Sequence, residues 1–440
     1  MIFAGGGIEL IRNGMNGDRA ILHSDCNCFY ASVEMHLNPE LRGTAMCVGG
    51  DVERRHGIVL AKSPLAKAAG VKTGEALWQA REKCPGLIVT PPHFKSYMRY
   101  SRLARMIYYD YTNQVEPFGL DEAWLDVTGS ERYMGESPAF IAQEISERIK
   151  AELGITVSIG VSWNKIFAKL GSDSDAGDGI MVITRDNYRD VVWPRAVGDL
   201  IYVGPSTQRK LAQLDIFTIG DLANASSDLL HAWLGKMGPV LKLFANGADV
   251  SPVKVMNPAM GDVEREVKSI GNGLTSAHNI ESPQDAKALI WLLSESVAQR
   301  LRESNFIGKT IGISVRDAQF LTYYTRQVKL ERPTCITREI AHTAYDLLCA
   351  NEPLDAAHPL RALGVWVSGL MPLNSPVQYD LFGIEDKRRE LENLDFAIDG
   401  LRHRFGNRCV MRLSELCDNA LDGVDIKDEN VIHPVGFFHD

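Results

Sequence analysis

No apolar run in the 440 residues approaches the roughly 20 needed to cross a bilayer. The start, MIFAGGGIELIRNGMNGDR, lacks the charged, apolar and small-residue order of a secretory signal. A membrane protein is thereby set aside, and a cytoplasmic one is predicted. Cysteine is sparse: of eight, only Cys26 and Cys28 stand close together, which offers neither a zinc ligand set nor a disulfide framework. A basic excess is missing too. A formal net charge of −9 argues against a chain that coats nucleic acid nonspecifically, because phosphate contacts need Lys and Arg, although basic residues can still gather on one face. What remains is an ordinary globular composition, 45% hydrophobic and 23% charged, long enough for two to four domains.

The sequence does hold a doublet of acids at a turn. Val115 to Thr128, VEPFGLDEAWLDVT, sets Asp121 and Glu122 between two apolar runs that read as strands of a hairpin. Strict alternation would send the two side chains to opposite faces, so both reach one site only beside an irregularity, which Pro117-Phe118-Gly119 supplies. Upstream, AILHSDCNCFYASVE ends a short apolar strand in Asp25, a third carboxylate that the hairpin can lie beside. Three acids converging on sheet edges suit a divalent metal, which prefers hard oxygen ligands.

Around this centre the chain divides. Residues 1–18 are Gly-rich and aperiodic, so a disordered extension is expected, with Met15 an alternative start. Gly57 to Gly86 reads as strand, small-residue helix, Gly-bounded turn and helix, a compact mixed subdomain. Lys95 to Thr112 is predicted as a helix that packs Leu103, Met106, Ile107 and Tyr111 on the sheet and leaves its basic face in solvent. Ser137-Pro138 starts another helix, striped by Ile141, Ile145 and Ile149 and ended by Gly154. From Val197, short helices and Gly turns resemble a helix-hairpin-helix, where N–H groups near Gly204 can hold a phosphate; a helix pair with no ligand fits that pattern equally well. Ser251 to Gly261 reads as a linker. Glu264 to Leu370 follows a βαββαβ order, with helices on one face and the other open to a long partner. Lys268, Arg316, Arg326, Lys329 and Arg332 lie on or beside its strands and favour a phosphate backbone over a merely solvated face.

VEPFGLDEAWLDVTG, HSDCNCFYASVE and GVSWNKIFAKLGSD together resemble the Y-family of translesion DNA polymerases, the group of DinB and UmuC. The resemblance runs from about Ala20 to Phe382 and implies an α+β multidomain right hand. Its parts are a ferredoxin-like palm (19–28 and 93–184), small fingers (29–92), a helical helix-hairpin-helix thumb (185–250), a linker (251–263), a βαββαβ little finger (264–372) and a C-terminal tail (373–440). The implied activity is template-dependent, low-fidelity addition of deoxynucleotides to a primer 3′-hydroxyl in DNA damage tolerance, with two Mg2+ ions per site and Mn2+ as an alternative. By resemblance Asp25, Asp121 and Glu122 hold the metals and Tyr30 is the sugar's steric gate, a residue that periodicity alone would assign to core packing. Phe29, Tyr30, Lys67 and Lys165 are implied nucleotide contacts, with an ordinary surface lysine the competing reading of Lys165. Ile58 and Leu60 are implied as the roof over the nascent base pair.

Two departures from DinB concern phosphate binding. Pro64 and Lys67 stand where DinB-like members carry a Tyr-x-x-Arg pair, and Ala176-Gly177-Asp178-Gly179 replaces their Lys-Pro-Asn-Gly. The fingers segment is closer to UmuC, and weak nucleotide affinity is predicted. Gln378-Tyr379-Asp380-Leu381-Phe382 resembles a QxxLF peptide for the sliding clamp, with Gln378, Leu381 and Phe382 as the anchors. Primer-template DNA, dNTPs, the clamp and a UmuD-like accessory subunit are therefore the expected partners, with no membrane. A catalytically inactive adaptor of the same fold is the alternative, disfavoured because all three carboxylates are present. A palm-based cyclase would leave the thumb, little finger and clamp peptide without purpose.

Overall fold

The computed structural model describes residues 18–50, 57–130, 136–174, 179–264, 266–376 and 384–412. The expected N-terminal extension before Asp18 and the peptide 378–382 lie outside the described residues. The chain forms two compact units that meet in sequence at Glu264 and Arg265.

The first unit opens with β1 (Ile21–Cys26), which turns into α1 (Phe29–Leu37) through Cys28, a left-handed residue with φ 50°. Next come β2 (Met46–Gly49), β3 (Val59–Lys62), α2 (Pro64–Ala68), α3 (Leu77–Lys83) and β4 (Ile88–Thr90). These strands pair in the order β3-β2-β4 around a core that includes Cys47, Val59, Ala66 and Leu77. Ser63 caps α2 by accepting from the Ala66 N–H, and Pro64 occupies its first turn, where a missing N–H costs nothing.

α4 (Phe94–Tyr109), β5 (Val115–Pro117), β6 (Glu122–Asp126), α5 (Pro138–Leu153), β7 (Val157–Ser162), α6 (Lys165–Ser172) and β8 (Ile180–Val182) follow, giving a five-stranded sheet in the order β5-β6-β1-β7-β8. α5 is as expected: Ser137 caps it, Ile141, Ile145 and Ile149 are buried, and Gly154 ends it with φ 66°. α4 is rotated from its expected stripe. It buries Tyr97, Ser101, Ala104, Arg105, Ile107 and Tyr108 and leaves Leu103 40% exposed. The Tyr108 hydroxyl meets Ser24 Oγ at 3.0 Å, which fixes that rotation, and the expected wholly solvated basic face is corrected by the burial of Arg105.

After α7 (Tyr188–Val191), the helices α8 (Pro205–Ala212), α9 (Ile219–Asn224), α10 (Ser227–Leu234) and α11 (Met237–Ala245) close around Leu211, Leu222, Leu230 and Leu241. α10 and α11 approach backbone to backbone, since a methyl at Gly238 would meet the Leu230 carbonyl oxygen at 2.2 Å. The expected linker is not a free strap. It folds into β9 (Met256–Asn257) and β10 (Asp262–Val263) and docks beside β5, with Met256 N–H donating to Asn113 O and Lys254 N–H donating to Glu116.

The second unit has the predicted order: β11 (Ser269–Ile280), α12 (Pro283–Glu303), β12 (Phe306–Asp317), β13 (Tyr323–Thr334), α13 (Thr337–Cys349) and β14 (Leu360–Pro372). The strands align as β11-β14-β12-β13, and Ile311, Ile313, Val365 and Val367 face α12 and α13 in one core. The segment expected as a tail adds α14 (Ile384–Phe405) to this unit. α14 is held by ion pairs rather than by its apolar residues. Arg302, 5% exposed, binds Asp395 at 3.2 Å and Asp399 at 2.6 Å, while Leu394 is 56% exposed.

Candidate active site

Antiparallel pairing of β1 with β6 sets Asp25 directly across from Glu122. Asp121 stands one residue earlier, on the turn from β5. There Gly119 has φ +94°, which L side chains avoid, and the Phe118 N–H closes the turn onto the Glu122 carbonyl at 2.8 Å. Cys26 N–H donates to the Asp121 carbonyl at 3.0 Å, tying the turn to β1.

The three acids share one corner, close enough that Asp25 feels the charges of both Glu122 and Asp121. Among the described residues no three His, Cys, Asp or Glu side chains gather as a metal ligand set. Glu122 faces α6, where its carboxylate meets Lys169 Nζ at 2.5 Å and His23 Nε2 at 3.2 Å. Asp121 is close enough to Tyr30 for its charge to act on that phenol. Asp25, opposite Glu122 and therefore on the same face of the sheet, feels both acids: burial and the charges of Glu122 and Asp121 push its carboxyl up to about 8. Burial and Glu122 raise Asp121 to about 6. Burial also works to raise Glu122, but the His23 hydrogen bond and the Lys169 charge outweigh it and hold the group low.

Tyr30 sits on the first turn of α1, and burial and Asp121 raise its hydroxyl to about 12. Its ring stacks on Tyr97, centroids 4.3 Å apart and 10° from parallel, with Phe94 edge-on at 6.2 Å. Tyr97 in turn donates to buried Glu34, which also pairs with His93 Nδ1 at 2.9 Å. Phe29 is 3% exposed, so its side chain is core and only its backbone can meet a nucleotide, a correction to its expected contact. The N–H groups of Phe29 and Tyr30, at the start of the nine-residue α1, have no intrahelical acceptor.

Lys165 is corrected as well. It is 9% exposed, paired with Glu116 at 2.7 Å and set over the Trp124 ring at 4.4 Å, so it braces β5 and β6 instead of reaching outward. Lys169, one helical turn on, is the α6 cation at the acids. Lys67 lies on α2 near Cys28, whose thiol feels both Lys67 and Lys62. Lys62 was missed, although Ile58, Leu60 and Lys62 alternate toward one face of β3 and its approach. Ile58 is 44% exposed and Leu60 half-buried. Arg105 was also missed: buried on α4, it donates to the Gly119 carbonyl at 2.8 Å and to the Gly261 carbonyl at 3.0 Å.

Gly204 caps the exposed start of α8. Lys268, Arg316, Arg326 and Lys329 are exposed on the second unit, but they do not share a face. Register puts Arg326 opposite Ile313, on the helix side, where it bonds Asn351 Oδ1 at 3.1 Å. Arg332 is turned to Glu385 of α14. These two are corrected away from the open face, and Arg316 and Lys329 remain on it.

Residues 24–173 match the impB/mucB/samB family, and residues 267–381 match the C-terminal domain of that family. The DNA polymerase IV of Acetivibrio thermocellus is 47% identical over 406 residues, covering 92% of this chain and 100% of the relative. The DNA polymerase IV 2 of Bacillus subtilis is 35% identical over 408 residues, 91% of this chain and 96% of the relative. Among solved structures, a Y-family DNA polymerase chimera of Dbh and Dpo4 superposes with a TM-score of 0.69 at 22% identity, over 80% of this chain and 99% of the chimera.

Proposed function

The chain belongs to the Y-family DNA polymerases, of the DNA polymerase IV (DinB) type, and is a DNA-directed translesion polymerase; from that premise we propose that it extends primers at the corner of β1 and β6 in damage tolerance. The observation that carries this placement is Asp25 opposite Glu122, with Asp121 on the adjoining turn and Tyr30 within reach of its charge. In this reading 19–28 and 93–184 are palm, 29–92 fingers, 185–250 thumb and 264–372 little finger.

The acids fit divalent cations. All donors are hard oxygens, and the repulsion that raises Asp25 and Asp121 is relieved when positive charge enters between them. Asp25 and Asp121 would hold two Mg2+ or Mn2+ ions, and Glu122 completes the set once its pair with Lys169 is exchanged. When bound, the ions lower the pKa of the primer 3′-hydroxyl and neutralise charge on the departing phosphates. The chain's own residues do the sorting and holding. The first-turn N–H groups of α1, with Lys62 and Lys67, take the triphosphate. Tyr30, backed by Tyr97, leaves no room for a ribose 2′-hydroxyl, while Ile58 and Leu60 cover the base pair. For primer-template DNA the candidate contacts are Gly204 on the first unit and, separately, Lys268, Arg316 and Lys329 on the second. The 378–382 peptide directly after the β-unit engages the sliding clamp, and a UmuD-like subunit is the remaining candidate partner.

The test is primer extension in Mg2+ with single deoxynucleotides, wild type beside Asp121→Ala and Glu122→Ala. Extension is expected only from wild type. Survival of activity in both variants would remove these residues from the site. Deleting 378–382 is expected to abolish stimulation by the clamp while leaving clamp-free extension intact.

A further inference from the structure

The open face of the second unit carries one large aromatic side chain at its centre. Residues 365 and 367 of β14 face the core, so Trp366 points away from α12 and α13. It lies between Gly271 of β11 and Gly312 of β12, its register partners on either side. Both glycines are seats for it. A methyl at Gly312 would stand 2.1 Å from Trp366 Cζ2 and 2.2 Å from Cε2, and one at Gly271 would stand 2.6 Å from Trp366 Cβ. The indole therefore lies down across β12 instead of standing off the sheet.

The surroundings suit an anion. Over the regularly paired stretch, the outward positions read Thr-Gly-Ser-Arg on β12, Tyr-Thr-Gln-Lys on β13 and Ala-Gly-Trp-Ser on β14. No carboxylate is among them, in a chain whose net charge is −9. Arg316 and Lys329 supply positive charge, and small residues keep the surface low around the ring. The Trp366 indole N–H has no hydrogen-bond partner among the described residues.

We propose that Trp366 is a non-ionic anchor for the DNA backbone, packing its ring on a deoxyribose and donating its N–H to a phosphate oxygen. The inference rests on the reading that this face receives primer-template DNA. A flat aromatic among small residues offers apolar area without side-chain entropy to lose, and its contribution does not depend on releasing counterions. Salt dependence consequently separates it from the cations beside it.

The experiment measures binding of a fluorescein-labelled primer-template to the full chain by anisotropy, from 50 to 200 mM salt, for wild type, Trp366→Leu, Gly312→Ala, Arg316→Ala and Lys329→Ala. Trp366→Leu keeps apolar bulk over Gly312 but removes ring and N–H. It is expected to weaken binding about fivefold or more, in line with the loss of one aromatic contact, at an unchanged salt slope. Gly312→Ala lifts the ring and is expected to weaken binding in the same way. Each cation variant is expected to lower the slope of log K against log salt by about 0.9. Wild-type affinity in Trp366→Leu, with slopes reduced in the cation variants, overturns the anchor and leaves the DNA face standing. Wild-type behaviour in all four overturns the DNA face itself. Circular dichroism melting of each variant separates a folding defect from a binding one, and Gly312→Ala keeps the test decisive if Trp366→Leu melts early.

Discussion

Lys169 Nζ stands 2.5 Å from Glu122 Oε2 and 3.3 Å from Asp173 Oδ1, so a side chain of α6 already neutralises the acid opposite Asp25. On the proposed function, a metal would compete with that ammonium. Lys169→Ala is expected to lower the Mg2+ concentration for half-maximal primer extension about fivefold, equivalent to an ion pair worth about 1 kcal/mol. An unchanged or higher requirement would mean that Glu122 is not shared between Lys169 and a cation.

Metal-free stability should fall as pH rises. An Asp ionises near 3.8 in the unfolded chain, whereas Asp25 in the folded protein ionises at about 8, so the folded state holds the extra proton across that window. Asp121, raised to about 6, acts in the same sense over the lower part. Melting temperatures in chelator are expected to drop from pH 5 to pH 9 in wild type and to drop less in Asp25→Asn. Equally steep profiles would sink the assignment.

The proposed sugar gate, Tyr30, is held from behind. Tyr30 leans on Tyr97, and Tyr97 is fixed by Glu34. Tyr97→Ala is expected to cut the preference for dCTP over CTP about fivefold, the value of one stacked pair, and Tyr30→Ala to cut it further. Discrimination lost in Tyr30→Ala but intact in Tyr97→Ala would make the stack irrelevant to selection.

Steady-state kinetics sort the lysines. Lys62→Ala and Lys67→Ala are expected to raise KM for dNTP, because both cations lie by the α1 N-terminus. Lys165→Met should leave KM unchanged and lower thermal stability, since it removes the counter-ion of Glu116, which among the described residues keeps only the Lys254 N–H. A KM rise in Lys165→Met would restore its nucleotide role.

On the second unit, Asp395 accepts from Arg302 at 3.2 Å and from the Thr337 N–H at 2.7 Å. Asp395→Ala is expected to destabilise this unit by about 1 to 3 kcal/mol, because it strips the buried Thr337 N–H of its acceptor and leaves Arg302 with Asp399 as its one carboxylate partner among the described residues. Urea denaturation would measure it, and a change below about 1 kcal/mol would mean that Asp399 alone suffices.

Much of this was legible in local chemistry. Ser137-Pro138 and Gly154 bound α5 because caps act within one turn, and βαββαβ follows from period changes along the chain. What could not be read was long-range. Arg105 looks like one more solvated base on an amphipathic helix, and the Gly119 turn together with the return of Gly261 and Asp262 to α4 buries it. Lys165 and Lys169 share one face of one helix in the sequence, yet Trp124 covers the first and Glu122 draws in the second. The stripe of α14 misled for the converse reason: Leu394 and Phe396 stay exposed while Asp395 between them is buried, because partners already charged on α12 set the rotation.

The two carbonyls that share Arg105 come from stretches far apart in the chain. Gly119 sits in the turn that aims Asp121, and Gly261 in the strap that leads to the second unit. One guanidinium ties both, so their order is thermodynamically linked. On the proposed function, a nucleotide that ordered the Asp121 turn would by reciprocity be favoured by whatever orders the strap, to the extent that Arg105 couples the two.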